Sequence, residues 1–120
     1  MSDLPAIDLE ALEPFRDDPG FLASLVAEFV AEGPRRIGTL RTACAAQDAA
    51  ALRNEAHAFK GSARVFGAAP LADMCQALES MSVADEALGG CLERLEHEFD
   101  RVRTALQAAR TDGGAEDSRS

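Results

Sequence analysis

The sequence predicts an all-α protein, an antiparallel up-down-up-down four-helix bundle preceded by a short extra helix. Hydrophobic residues make up 47% of the chain, whereas Trp and Tyr are absent and strand-favouring residues are scarce. Apolar residues also recur three and four positions apart in four stretches. The connections between these stretches are short, which is typical of antiparallel neighbours. A length of 120 residues suits a single domain.

A short helix and then a long one are predicted for the first third of the chain. Asp8 can cap a helix over Leu9–Glu13, which Pro14 would interrupt. The run Asp17–Gly20 places a carboxylate before a proline and is a start signal for the next helix. Its apolar residues stay in phase across Gly33–Pro34, so we expect one helix kinked at Pro34, with two helices meeting at a tight turn as the alternative.

The central helix is predicted to follow the cap Asp48 and to run to about Phe66. Gly67 suits the left-handed conformation past a helix end and is the predicted structural turn. One stripe of the helix is apolar and is predicted to face the core: Leu52, Ala56, Phe59, Ala63 and Phe66. A second stripe, offset by roughly 115°, is predicted to look outward: Arg53, His57, Lys60 and Arg64.

Two further helices complete the predicted bundle. Pro70 suits the first turn of the third helix, whose apolar residues are Leu71, Met74, Cys75, Leu78 and Met81. Ser82 and Asp85 loosely resemble a capping box for the last helix, whose stripe is Leu88, Leu92, Leu95, Phe99, Val102 and Leu106. The domain is expected to span residues 1–110, and the polar, Gly-containing tail 111–120 is expected to be disordered.

The overall charge excludes some classes of partner. Twelve Lys and Arg against 21 Asp and Glu leave a formal charge of −9, which opposes nucleic-acid binding. No segment is long and apolar enough to predict a membrane span. Three Cys without a CxxC pair indicate buried or half-buried thiols in a reducing compartment, so we expect a cytoplasmic protein. The outward stripe of the central helix is basic, a local exception to this acidic charge, and can steer a partner that has an acidic pocket.

The outward stripe carries the candidate chemistry. A neutral imidazole such as that of His57 can attack phosphorus and hold a phosphoryl group covalently. Lys60, one turn on, would offset the charge of that group. Gly61 is unfavourable within a helix, which suggests that either another helix of the bundle or a partner outside it approaches closely. Because Gly61 lies roughly opposite the apolar stripe, the outside partner is preferred. No metal site is predicted, and His97 between two glutamates is interpreted as a solvated residue.

The central helix contains the run AHAFKGSARVFGA, which closely resembles the signature of histidine-containing phosphotransfer (Hpt) domains of bacterial multistep phosphorelays. The likeness extends from about Phe21 to Ala109. It implies that exposed His57 accepts a phosphoryl group from a receiver-domain aspartyl phosphate and relays it to another receiver Asp. It also implies that Lys60 stabilises the phosphoryl group and that Gly61 leaves room for docking, with Arg53 and Arg64 beside it.

The sequence departs from this family at one position of the neighbouring helix. Family members often carry a Gln there that hydrogen-bonds the active His, and the matching residue of this chain is Glu79. A carboxylate would orient the ring but would repel an attached phosphoryl group. Gln76, one turn earlier, is the alternative candidate for orienting His57.

The resemblance implies a stoichiometric phosphoryl carrier rather than an enzyme. Its partners would be response-regulator receiver domains and a hybrid sensor histidine kinase, and we expect a free-standing monomer. No cofactor of its own is expected, because the receiver would supply Mg²⁺. The alternative function is an adaptor or inhibitor bundle that binds a receiver or kinase without carrying phosphate. A purely structural bundle is the third hypothesis.

Overall fold

The computed structural model describes the backbone of residues 4–119 and the side chains of residues 4–109. A 3-10 helix covers Leu9–Phe15, and four α-helices follow: α1 (Pro19–Ala45), α2 (Ala49–Val65), α3 (Ala69–Ser80) and α4 (Leu88–Arg119). No strand occurs within the described backbone, so the predicted all-helical class is confirmed. The helix α4 extends beyond residue 110, the predicted end of the domain. The disorder expected for residues 111–120 stays a prediction.

Aspartate side chains start three of the helices, as the sequence predicts. Asp8, Asp18 and Asp48 each accept a hydrogen bond of 3.0 Å from a backbone N–H two or three residues on. These bonds satisfy amide groups that have no partner within the helix. The first helix differs from its prediction, because it is a 3-10 helix and continues through Pro14 to Phe15.

The segment before α4 does not form the predicted capping box. Ser82 Oγ accepts from the N–H of Ala84, and Asp85 Oδ1 accepts from the N–H of Ala87. Both side chains therefore stabilise turns, and α4 begins only at Leu88. Short polar side chains bond neighbouring backbone groups as readily in turns as at helix caps, so the spacing of Ser82 and Asp85 did not distinguish the two.

The long helix α1 passes through Gly33 and Pro34 without a break, which confirms one helix over two. Gly33 faces α4, and a side chain there would overlap the ring of Phe99. The absence of a side chain therefore lets an aromatic ring lie against the backbone of α1. The apolar face continues on both sides of Pro34, and burial of this face in the bundle offsets the lost hydrogen bond of the proline.

The core lies between the four α-helices and contains the predicted stripes. The helix α1 packs against α2 and α4, and α3 also packs against α2 and α4. Four aromatic rings meet at the centre of the core. The centroid of the Phe29 ring lies 6.3, 5.2 and 5.4 Å from the ring centroids of Phe59, Phe66 and Phe99, respectively. All residues of the two predicted inward stripes, on α2 with its C-cap and on α4, are buried: Leu52, Ala56, Phe59, Ala63, Phe66, Leu88, Leu92, Leu95, Phe99, Val102 and Leu106. This packing fixes which side of α2 faces outward.

Gly67 forms the turn between α2 and α3, as predicted. Its φ is +63°, in the left-handed region that glycine enters without strain. The N–H groups of Gly67 and Ala68 bond to the carbonyls of Arg64 and Ala63, which is a Schellman ending. A Cβ on Gly67 would also lie 2.7 Å from the Cβ of Asp8, so the N-terminal segment packs closely over this turn.

The three cysteines are free thiols, as expected. Cys75 is buried, and Cys44 and Cys91 are half-buried. Burial raises the pKa of the Cys75 thiol to about 12, with a further contribution from the nearby Glu79 carboxylate. Cys75 is therefore a protonated core residue at neutral pH.

Within the described part of the chain, no helix combines the length and apolarity that crossing a bilayer requires.

Candidate functional site

His57 projects from α2 on the side away from the core. Its side chain is 71% exposed, whereas Ala56 and Phe59 on the same turn are fully buried. The contrast follows from helix geometry, because a step of about 100° per residue turns His57 off the apolar stripe. The predicted outward position of His57 is confirmed.

The imidazole of His57 lies beside Glu79 of α3. The distance between Nδ1 and Glu79 Oε1 is 3.3 Å. An ionised carboxylate only accepts hydrogen bonds, so this contact favours the tautomer in which Nδ1 carries the proton. Among the side chains described, none bonds Nε2, and the side chain as a whole is largely exposed, so the Nε2 lone pair is available. Glu79, and not Gln76, is therefore the residue in contact with His57.

Lys60 does not look outward, which corrects the sequence prediction. The residue is only 7% exposed, and its Nζ donates a 2.7 Å hydrogen bond to Oε1 of Gln76. The same ammonium lies 2.5 Å from Glu79 Oε2. Lys60 occupies the edge of α2 that faces α3, so its long apolar stem lies between the helices while its head finds two oxygen partners. A buried ammonium without such partners would be strongly destabilising.

Glu79 connects Lys60 to His57 through its two carboxylate oxygens. Oε1 contacts the ring nitrogen and Oε2 contacts the ammonium. The adjacent Lys60 ammonium lowers the pKa of Glu79 below its ordinary value of 4.5, partial desolvation opposes this shift, and the contact with His57 reinforces it. Glu79 is therefore ionised at neutral pH, and its charge is compensated by Lys60.

Arg53, Arg64 and Gly61 surround His57 on the exposed side of α2. Both arginines are exposed, and neither forms an ion pair with another described side chain. Apart from the nearby backbone of α2, a Cβ on Gly61 would meet no atom of the described residues within 4 Å. Packing within the described bundle thus does not require Gly61 to be a glycine, and the alternative in which another helix of the chain approaches it is wrong.

A groove beside this face was not predicted from the sequence. It lies between α1 and α2, has a volume of about 180 Å³, and includes Leu25, Phe59 and Val65 among its lining residues. Val65 is 44% exposed although apolar. An apolar residue off the stripe of α2 was the signal that could have indicated this groove. Arg36 and Glu55 join the two helices near it through a 2.7 Å ion pair.

His97 lies elsewhere on the molecule. It is exposed on α4 and lines a groove with Arg41 and Glu96, which form an ion pair. This groove lies between α1 and α4, and α2 does not contribute to it. The interpretation of His97 as a solvated residue agrees with this position.

Two comparisons with known proteins find similarity to histidine-containing phosphotransfer proteins. The family model described as Hpt domain matches residues 24–112. One solved structure, histidine-containing phosphotransfer protein B from Pseudomonas aeruginosa PAO1, is similar with a TM-score of 0.74 and 31% sequence identity over 92% of this chain and 98% of that chain. The comparison with curated proteins gives no match. The matched region contains His57 and all of α2 and α3, and the chain belongs to the Hpt domain family.

Proposed function

We propose that this protein carries phosphoryl groups between receiver domains in two-component signal transduction, with His57 as the acceptor. The observation that carries the proposal is the contact between His57 Nδ1 and Glu79, which leaves Nε2 of this largely exposed side chain without a bond to any described side chain. Membership of the Hpt family supports a role in a phosphorelay. The similar solved protein is itself named a histidine-containing phosphotransfer protein.

The transfer can proceed without proton movement at the ring. The lone pair of Nε2 attacks the phosphorus of a receiver aspartyl phosphate, the N–P bond forms, and the P–O bond breaks with its electron pair left on the receiver carboxylate. The ring keeps its proton on Nδ1 and becomes formally cationic, a state that the adjacent Glu79 carboxylate stabilises. Transfer to a second receiver reverses these changes.

Lys60 would stabilise the phosphoryl group by compensating Glu79. A lone carboxylate this close to the ring would repel a dianionic phosphoryl group. The ammonium at 2.5 Å makes the Glu79–Lys60 pair neutral overall, so Glu79 can orient the ring with less repulsion. This arrangement fits the role for Lys60 that the resemblance implies, although its ammonium is buried.

The docking face would be the exposed side of α2. Arg53 and Arg64 form no ion pair with a described side chain, so they supply positive charge on an otherwise acidic protein, which suits the acidic pocket of a receiver domain. Gly61 leaves open space one turn from His57. Val65 and the adjoining groove add an apolar contact next to that opening.

The remaining features of this proposal follow from the carrier role. The protein would act stoichiometrically, as a cytoplasmic monomer, between a hybrid sensor histidine kinase and receiver domains. It would need no cofactor of its own, with Mg²⁺ supplied on the receiver. We also infer that the helices run up-down-up-down, because the connections 46–48 and 66–68 are short and successive helices are packed together.

The test is incubation with a phosphorylated receiver domain carrying labelled phosphate. We expect acid-labile, base-stable label on the wild-type protein and none on a His57→Gln variant. His97→Gln is the matched control and should be labelled as wild type. Label that persists in His57→Gln would refute the assignment of the acceptor. Receiver binding without any label on the wild type would instead favour the adaptor function.

A further inference from the structure

Gln76 is an exposed residue of α3 whose side chain makes one hydrogen bond among the described residues, as the acceptor from Lys60 Nζ at 2.7 Å. Lys60 has a second partner, Glu79 Oε2. Gln76 and Glu79 lie one turn apart on α3, so the ammonium is held between two consecutive turns of that helix. Gln76 itself has no contact with His57 among the bonds of the described residues.

We propose that Gln76 is a positioning residue that holds the Lys60 ammonium against Glu79 and thereby sets the lifetime of the phosphorylated His57. This inference rests on the proposed function of His57. The amide oxygen bonds the ammonium without adding a charge to the site. It therefore holds the cation in place and leaves the pair formed by Lys60 and Glu79 neutral.

The geometry explains why a second acceptor is needed. A lysine side chain has four rotatable bonds and loses considerable entropy when it is held in one position. Glu79 presents only Oε2 to the ammonium, because Oε1 contacts His57. Without Gln76, the ammonium would leave Oε2 more often, and the uncompensated carboxylate would repel the phosphoryl group on the adjacent ring.

The first experiment uses unphosphorylated protein and the variant Gln76→Leu, which keeps the approximate size of the side chain but removes the acceptor. The readout is the exchange rate of the Lys60 ammonium protons with water, measured by ¹⁵N NMR. We expect an increase of about 10-fold, the factor that corresponds to losing one hydrogen bond to a charged group. The matched control is Gln107→Leu on α4, which removes a 3.1 Å bond to Arg103 and should leave Lys60 unchanged. An unchanged exchange rate in Gln76→Leu would overturn the proposal.

The second experiment measures the lifetime of labelled phosphohistidine after removal of the receiver. We expect Gln76→Leu to shorten it roughly two- to fivefold, as for one surface charge contact. In a Lys60→Met background the same change should have no further effect, because the two residues act as a unit. A lifetime that is unchanged or longer, or an equal shortening in both backgrounds, contradicts the proposal. If the wild type takes no label, the proposed function fails, while the proton-exchange measurement still tests the position of Lys60.

Discussion

The ammonium of Lys60 on α2 lies 2.5 Å from the carboxylate of Glu79 on α3, and both groups are largely removed from solvent. This ion pair joins the two helices directly beside His57. It makes the geometry of the proposed phosphoryl acceptor dependent on a contact between helices, so a change in the charge of either residue should affect both folding and chemistry.

Glu79 should make the stability of the protein depend on pH. Its pKa is lowered in the folded state, chiefly by the adjacent Lys60 ammonium, so its contribution is fully present above the ordinary carboxyl pKa and is lost as the pH falls through the lowered value. We expect Glu79→Gln to be less stable than wild type at pH 7. The difference should shrink as the pH falls below the ordinary value of 4.5. Urea unfolding of both proteins across this range measures it.

The matched control for this experiment is Asp73→Asn, an exposed carboxylate on the same helix. Its stability difference from wild type should change much less with pH than that of Glu79→Gln. A Glu79→Gln difference that stays constant from pH 7 to pH 3 would show that the ion pair does not contribute to stability.

Gly61→Gln should block phosphoryl transfer without unfolding the protein. Apart from the nearby backbone of α2 itself, no atom of the described residues lies within 4 Å of the position that a Cβ would take, so the side chain fits the free protein and would fill the space before the proposed receiver. The helix should become more stable by up to about 1 kcal/mol. Gly38→Gln on α1 is the control, because it also has open space there and should gain stability while transferring at the wild-type rate. Equal transfer rates for both variants would show that Gly61 is not part of the docking face.

Gly33→Ala should destabilise the fold, whereas Gly38→Ala on the same helix should not. A Cβ at Gly33 would overlap the ring of Phe99, but a Cβ at Gly38 meets nothing within 4 Å. We expect a loss of about 1–3 kcal/mol at Gly33, as for overpacked cores, and a gain of up to about 1 kcal/mol at Gly38. Chemical denaturation gives both values. A Gly33→Ala protein as stable as wild type would mean that α1 and α4 are not in this close contact.

Arg53→Glu combined with Arg64→Glu should slow association with a receiver by about 10-fold or more at low salt, because both positive charges flank the proposed acceptor, His57. The effect should fall as salt is added. Stopped-flow binding at several ionic strengths measures it. Arg41→Glu combined with Arg94→Glu, at exposed sites of α1 and α4, changes the net charge by the same amount and should change the rate much less. Equal slowing by both variants would indicate a general charge effect rather than a docking face.

The outward direction of His57 could be predicted from the sequence because it depends only on the periodicity of α2. The apolar stripe must be buried, and a helical step of about 100° per residue then places His57, Arg53 and Arg64 in solvent. The conformation of Gly67 was predictable for a similarly local reason, because a helix ending of this type requires a residue that tolerates positive φ.

The positions of Lys60, Glu79 and Gln76 were decided by the packing of α2 against α3. Periodicity gives the angle of a residue about its own helix, but Lys60 lies at the edge of the outward stripe, where a neighbouring helix can bury its stem. Glu79 and Gln76 are one turn apart on α3, so only the relative height of the two helices determines which one meets His57 and which one meets Lys60. That height results from core contacts between residues distant in sequence, and the spacing of residues along one helix carries no information about such contacts.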